Sequence, residues 1–362
     1  VGSWGLYYVG PYVWTGKGGD NKWSTAANWE GEVVPDAEDR TKAVDLSAAT
    51  TVELDVPASV GCFLYASAAP NPTLTIAGEN ELILVGYDSY ATCFAAVPSA
   101  HVVLAAPLKS ERYANATYTQ TSAFIGGATY ELRTSTIWGA STSWAFCLGG
   151  RFVYNSTIAK LSQTTSYNLL SAGGGANFEP SEVVFGPEAD IKFNYLFFDK
   201  QSFTANQKIV QDGATLNGKA VLVWRCAADF RSPSAYILNS GSLTLTERLG
   251  VGSNYQVGSE TFTRKQGGSF VMTGGTLTTP VIECEENQNY ISLNGGTVVL
   301  GEGGFVRTED ATKRTFTAND KPALNLGGVT IAPSAASVVG LDTVLTGEGG
   351  ATVVSGEGLT FA

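Results

Sequence analysis

His101 is the only histidine in a chain of 362 residues, and it bounds the acid–base chemistry open to this protein. It sits in Ala100-His101-Val102-Val103-Leu104, a strand pattern in which an imidazole satisfied by a neighbour is expected. Any Ser-His-Asp or Cys-His arrangement would have to use it, and no Gly-x-Ser-x-Gly elbow accompanies it. No glycine-rich segment ends in Gly-Lys-Ser/Thr or leads a strand into a helix as a dinucleotide fingerprint. The carboxylates offer more. Asp190 and Lys192 alternate and so share a strand face, with Tyr195 and Asp199 close in sequence. Such a carboxylate beside an amine can bind calcium and abstract a proton from a uronic acid, or simply form a solvated ion pair. If the chain is an enzyme, Asp190, Lys192 and Asp199 are its catalytic candidates. A second cluster is Glu283, Glu285 and Glu286; alternation around Cys284 predicts that Glu283 and Glu285 face solvent. Asp36, Glu38 and Asp39 form a third group, a calcium candidate without the spacing of an EF-hand. Calcium is the one cofactor these residues suggest.

Cysteine and charge exclude several classes. Cys62, Cys93, Cys147, Cys226 and Cys284 lie far apart with no C-x-x-C pair, which rules out a zinc ribbon or iron–sulfur site. Their apolar or small neighbours predict buried strand positions for most, and an odd number leaves one thiol unpaired or bonded to another molecule. A net charge of -11 argues against binding nucleic acid or anionic lipid. The uncharged stretch 91–108 is broken by Pro98, His101 and Pro107, so no membrane insertion is predicted. Charged residues make up 15% of the chain, against roughly 25% in ordinary soluble domains, with glycine, threonine, serine and alanine filling the gap. That surface suits an extracellular or cell-surface protein, and Val1 reads as a terminus left by removal of a secretion signal. Asn115-Ala116-Thr117 and Asn155-Ser156-Thr157 match the N-glycosylation pattern.

The elements that must position these residues announce themselves by repetition. Gly241-Ser242-Leu243-Thr244-Leu245 returns as Gly274-Gly275-Thr276-Leu277, Gly295-Gly296-Thr297-Val298-Val299-Leu300 and Gly327-Gly328-Val329-Thr330-Ile331. Gly349-Gly350-Ala351-Thr352-Val353-Val354 is a weaker copy, and Gly126-Gly127-Ala128-Thr129 and Gly149-Gly150-Arg151-Phe152 are earlier ones. Recurrence every roughly 20 to 35 residues is the signature of a solenoid with one unit per coil. Period-two alternation dominates and no helical stripe is found, so the fold class is all-β. A sandwich gives every strand a different neighbour, whereas a parallel β-helix places like over like and lets one phrase serve every level. Glycine then supplies the corner, the next apolar residue points inward, and the threonines face water. Residues 1–57 read as an aromatic-rich N-terminal cap carrying Trp4, Tyr7, Tyr8, Tyr12, Trp14, Trp23 and Trp29. Residues 58–362 read as the β-helix, irregular over 58–206 and clearer over 207–362.

The block from Trp14-Thr15-Gly16-Lys17-Gly18-Gly19-Asp20 through Trp23-Ser24-Thr25-Ala26-Ala27-Asn28-Trp29, then Val34-Pro35 and Asp39, resembles the opening of bacterial surface proteins with autotransporter-associated β-strand repeats. Such proteins abound in Verrucomicrobia and Planctomycetes, and their repeats read much like 268–277 here. The likeness covers the first 55 residues and most of 237–362. It implies a right-handed parallel β-helix (β-solenoid), secreted and surface-associated, generally without an enzymatic role. Against the family, whose chains are often far longer, this sequence reads as short and as carrying neither a translocator barrel nor a hydrophobic C-terminal anchor.

Two functions follow. The first is a structural or adhesive surface protein, a filament subunit whose partner is a second copy of itself. The tryptophans would plug one end, while Leu359-Thr360-Phe361-Ala362 would leave the other apolar and adhesive; alternatively, segment 1–13 would add as a strand to a neighbour. The runner-up is a polysaccharide lyase or hydrolase, or a glycan binder using Trp138, Trp144 or Trp224 or the cap tryptophans.

Overall fold

Short alternating segments closed by glycine or asparagine can satisfy their backbone groups only by pairing with other strands, and here they pair in parallel. The computed structural model describes residues 12–35, 43–86, 92–112, 121–125, 127–133, 137–138, 144–148, 150–155, 157–158, 181–197, 207–223, 234–251, 255–257, 260–262, 268–284, 290–306, 323–334, 337–339, 344–353 and 359–361. They are mostly strand; among them there is no α-helix, only 3-10 turns at Ala26–Asn28 and Glu30–Glu32. The chain divides into two compact units, 1–153 and 154–362.

The first unit opens with β1 (Tyr12–Val13), β2 (Ala43–Asp45), β3 (Thr51–Glu53), β4 (Ala58–Val60) and β5 (Cys62–Tyr65). It continues with β6 (Thr73–Ala77), β7 (Leu82–Gly86), β8 (Thr92–Ala96), β9 (His101–Leu104) and β10 (Leu108–Arg112). Then come β11 (Thr121–Ile125), β12 (Thr129–Leu132), β13 (Ile137–Trp138), β14 (Trp144–Leu148) and β15 (Gly150–Tyr154) at the boundary. From β2 on, the chain visits three parallel ladders in rotation. One runs β1-β2-β5-β8-β11-β14, another β4-β7-β10-β13, and β3, β6, β9 and β12 form the third. Each return lands in register on the strand before it. Val44, Phe63 and Phe94 therefore line up inward, and the two phenyl rings stack at 5.0 Å. Val52, Ile76, Leu104 and Leu132 do the same on the third ladder, all fully buried. β2 and β3 fall within the segment assigned to the cap, so cap and ladders are continuous in hydrogen bonding.

In the second unit β16 (Thr157–Ile158), β17 (Ser181–Phe185), β18 (Asp190–Lys192) and β19 (Tyr195–Phe197) are short. The next two, β20 (Gln207–Val223) and β21 (Ser234–Val251), run 17 and 18 residues. β17, β18 and β19 pair with successive stretches of β20, so one long strand does the work of three short ones. Register slips at Gln211/Asp212, Asp212/Thr215 and Gly218/Ala220 mark where it bends from one stretch to the next. There follow β22 (Tyr255–Val257), β23 (Glu260–Phe262), β24 (Gly268–Met272), β25 (Thr276–Cys284) and β26 (Tyr290–Leu293). The last are β27 (Thr297–Val306), β28 (Ala323–Pro333), β29 (Ser337–Val339), β30 (Val344–Val353) and β31 (Leu359–Phe361). β22 with β23 is the one antiparallel strand pair among the described residues.

The repeated phrase lies on consecutive parallel strands in this unit. Leu216, Leu243, Leu277, Val298, Ile331 and Val353 are successive register partners, and all but Val353 are buried. The preceding glycines turn the corner: Gly275 and Gly296 have φ of 75° and 76°. A Cβ at Gly275 would stand 2.7 Å from the Gly241 carbonyl, and one at Gly296 2.6 Å from the Gly275 carbonyl. Glycine is thus demanded twice, by the left-handed backbone and by the level beneath.

Candidate functional site

The tryptophan block of the first unit is a folded knot built around Asn28. Its buried amide accepts the Gly18 N–H at 2.8 Å and donates to Asp20 Oδ1 at 2.8 Å and to the Lys22 carbonyl at 3.0 Å. Gly18 is required there, since a Cβ would lie 2.6 Å from Asn28 Oδ1. Asp20 also accepts the Thr25 hydroxyl and the Lys22 N–H, and these hydrogen bonds hold its carboxyl below the usual carboxylate range. Trp29 is the centre of the ring cluster. Trp14 and Trp23 meet it edge to face at 5.0 and 4.8 Å, and Tyr12 at 6.5 Å. Two of the indole N–H groups find carbonyls, Trp29 donating to that of Trp23 and Trp23 to that of Pro35.

Two ladders hold this knot in place. β1 pairs in parallel with β2 and the Trp14 N–H continues that ladder to the Asp45 carbonyl. Lys22 bridges Glu53 of β3, with Trp23 N–H donating to Glu53 and Glu53 N–H to Asn21, each at 2.8 Å. Ser24 donates its N–H and its hydroxyl to the two oxygens of Asp55. Burial works against ionisation of Asp55, but the two Ser24 hydrogen bonds outweigh it and lower the carboxyl's pKa. Trp14, Trp23 and Trp29 are at most 2% exposed, so none offers a ring face on which a sugar could stack.

The second unit presents the contrasting feature. In the inward column from Leu216 to Ile331 no member is more than 2% exposed, yet Val353, the next in register, is 47% exposed. The last described level of that column therefore offers an apolar side chain on which a further β-level could be laid.

The remaining sequence candidates scatter. Trp4, Tyr7, Tyr8, Asp36, Glu38, Asp39, Asp199 and Trp224 lie outside the described residues. Leu359 and Phe361 stand on β31, in register with Ser337 and Val339. Asp190 and Lys192 are exposed on one face of β18, as alternation predicts, beside Thr215 and Asn217 of β20. No group of three or more His, Cys, Asp or Glu able to hold a metal occurs among the described residues. His101 has the satisfied imidazole expected of it, its Nε2 2.9 Å from Glu131, which also receives Arg133 at 2.7 Å. Cys284 is buried, in line with its apolar neighbours.

Glu283 corrects the sequence reading: it is buried rather than solvent-facing. Its register partner is Gly250, which leaves room beside the strand, and Arg248 Nη1 lies 2.8 Å from each carboxylate oxygen. Sequence reasoning also missed the hubs Asn28, Glu131 and Gln211. Glu131 and Arg133 alternate on one strand and could have been paired on that ground; nothing marks Gln211 before the fold is known. No family model, curated protein or solved structure matches the chain.

Proposed function

We propose that this chain is a non-catalytic structural protein of an extracellular or cell surface, a right-handed parallel β-helix that assembles by laying one copy's β-level onto another's. The rotation of the chain through parallel ladders supports the helix, and parallel crossovers are right-handed in about 98% of cases. The likeness to surface proteins with autotransporter-associated repeats supports the location, as does the sparse charge. The observation that carries assembly is Val353, half out in solvent at the last described level of an otherwise sealed column. A strand edge with an exposed apolar residue is a template for further pairing. Contacts between unlike surfaces propagate into a fibre unless they close.

Light scattering and electron microscopy on the purified chain over a concentration series test the reading. Growth of extended particles with concentration is expected, and Val353→Asp should raise the concentration needed at least tenfold. A wild-type chain that stays monomeric throughout would sink it.

A further inference from the structure

One face of the second unit carries two ranks of small, mostly hydroxylated side chains. Thr215, Ser242, Thr276, Thr297, Thr330 and Thr352 are consecutive register partners, so their side chains form a single rank along the ladder. Two residues on, Asn217, Thr244 and Thr278 form a second rank that ends in Val299 and Ala332. All are exposed or half-buried, and the register slips of these strands fall outside this stretch. Neither rank carries a charge beyond the first level, where Asp190 and Lys192 stand. Of the neighbouring stretches, one carries Lys208–Glu182 at its first two levels and is uncharged beyond them, and the other carries Lys219–Glu247 and Arg248–Glu283.

We propose that this face packs against the same face of a second copy, side by side. Three arguments favour a second copy over any other occupant. The ranks repeat every ~4.8 Å along the ladder and lie ~6.6 Å apart, a net that matches another copy of itself without adjustment. In a chain of net charge -11, an uncharged face is where two copies can approach with least repulsion. Short hydroxyl and methyl side chains in two such ranks interdigitate into a dry contact of the steric-zipper kind.

Area decides how the contact operates. The described strip is on the order of 25 by 10 Å, a few hundred Å², against roughly 800 Å² per partner for a stable pair. One pair of copies therefore dissociates readily, and the contact holds when several copies already joined end to end present it repeatedly. The inference thus rests on the assembly reading above, and predicts that filaments bundle laterally.

The test uses the full chain with a photo-crosslinking residue at Val299, on the face, or at Val353, at the last described level of the column. Under assembling conditions, crosslinks from position 299 should map to 242–332 of another copy. The pair Thr276→Lys and Thr297→Lys should remove those crosslinks by at least tenfold and leave those from position 353 intact. Thr276→Val with Thr297→Val, which keeps the shape, should retain them, and a thermal melt of each variant controls for folding. Crosslinks from 353 without any from 299 overturn the lateral contact and leave end-joining standing, whereas silence at both positions overturns both. Crosslinks from 299 to another surface, or their survival in a folded lysine variant, also overturn it.

Discussion

The two units solve the same stacking problem by different means. In the first, short strands are separated by turns, and the levels are tied by particular side chains: Ser24 on Asp55, His101 on Glu131, and the Tyr130 hydroxyl on the Phe94 carbonyl. In the second, long strands pass through whole turns, left-handed glycines set the corners and near-identical aliphatics fill the repeat, with side-chain ties such as Gln211 to Tyr236 and Arg248 to Glu283 beside them. The difference teaches where the specificity lies. A level with an irregular sequence needs named hydrogen bonds to find its register, because a one-residue slip turns its core face outward. A level built on the repeat is aligned by its glycine and its Leu, Val or Ile.

The comparison breaks most readily at Trp29. Its ring touches Trp14, Trp23 and Tyr12, so Trp29→Ala should remove the centre of the knot at a cost of ~3–5 kcal/mol. Hydrogen exchange should show the loss over 12–60 and leave 207–306 protected; uniform loss would mean the two units do not fail separately. In the second unit Gln211 is fully buried, donating to the Ala214 and Ser242 carbonyls and accepting the Tyr236 hydroxyl at 2.7 Å. Burial pushes that phenol's pKa upward, so it stays neutral and its proton stays shared. Gln211→Leu strands all three groups and should cost ~2–4 kcal/mol, read as a fall in urea midpoint. Tyr236→Phe removes only one partner and should cost about a third as much.

Gly275→Ala sharpens the claim about corners. The substitution forces a left-handed alanine and a close approach to Gly241, worth ~1–3 kcal/mol. Gly19 also has positive φ but an added Cβ would meet nothing, so Gly19→Ala carries only the backbone cost, ~1 kcal/mol. Equal losses at both positions would show that conformation alone, and not contact between levels, demands glycine in the repeat.

Much of this fold was legible in the sequence because its repeat is a physical one. The phrases around Leu243, Leu277, Val298 and Ile331 were recognisable as levels, and they do pair in parallel with those residues inward. Tryptophan and glycine spacing marked the knot, since three large rings so close in a loop have only one another to pack against. What stayed hidden were partners far apart in the chain. Arg248 and Glu283 are 35 residues apart and meet only because two strands stack, so alternation alone sent Glu283 to solvent. Gln211 was equally opaque: its role follows from a register slip, and no local pattern encodes one.

The smallest expected effect concerns acid. Asp55 keeps its charge in the folded chain through Ser24, which lowers its pKa below the usual value of about 3.9. A depressed carboxylate stabilises the folded state above its unfolded pKa, and that stabilisation is lost as pH falls through the lower, folded value. The knot should therefore weaken below about pH 4. Asp55 is half-buried and its hydrogen bonds to Ser24 are open to solvent, so screening keeps the contribution within the ~0–1 kcal/mol of surface pairs. Asp55→Asn should lower stability slightly at pH 7, and its difference from the wild type should shrink as the pH falls through the acid range, measured by denaturant midpoints. A difference between the two chains that grows on acidification would contradict the sign.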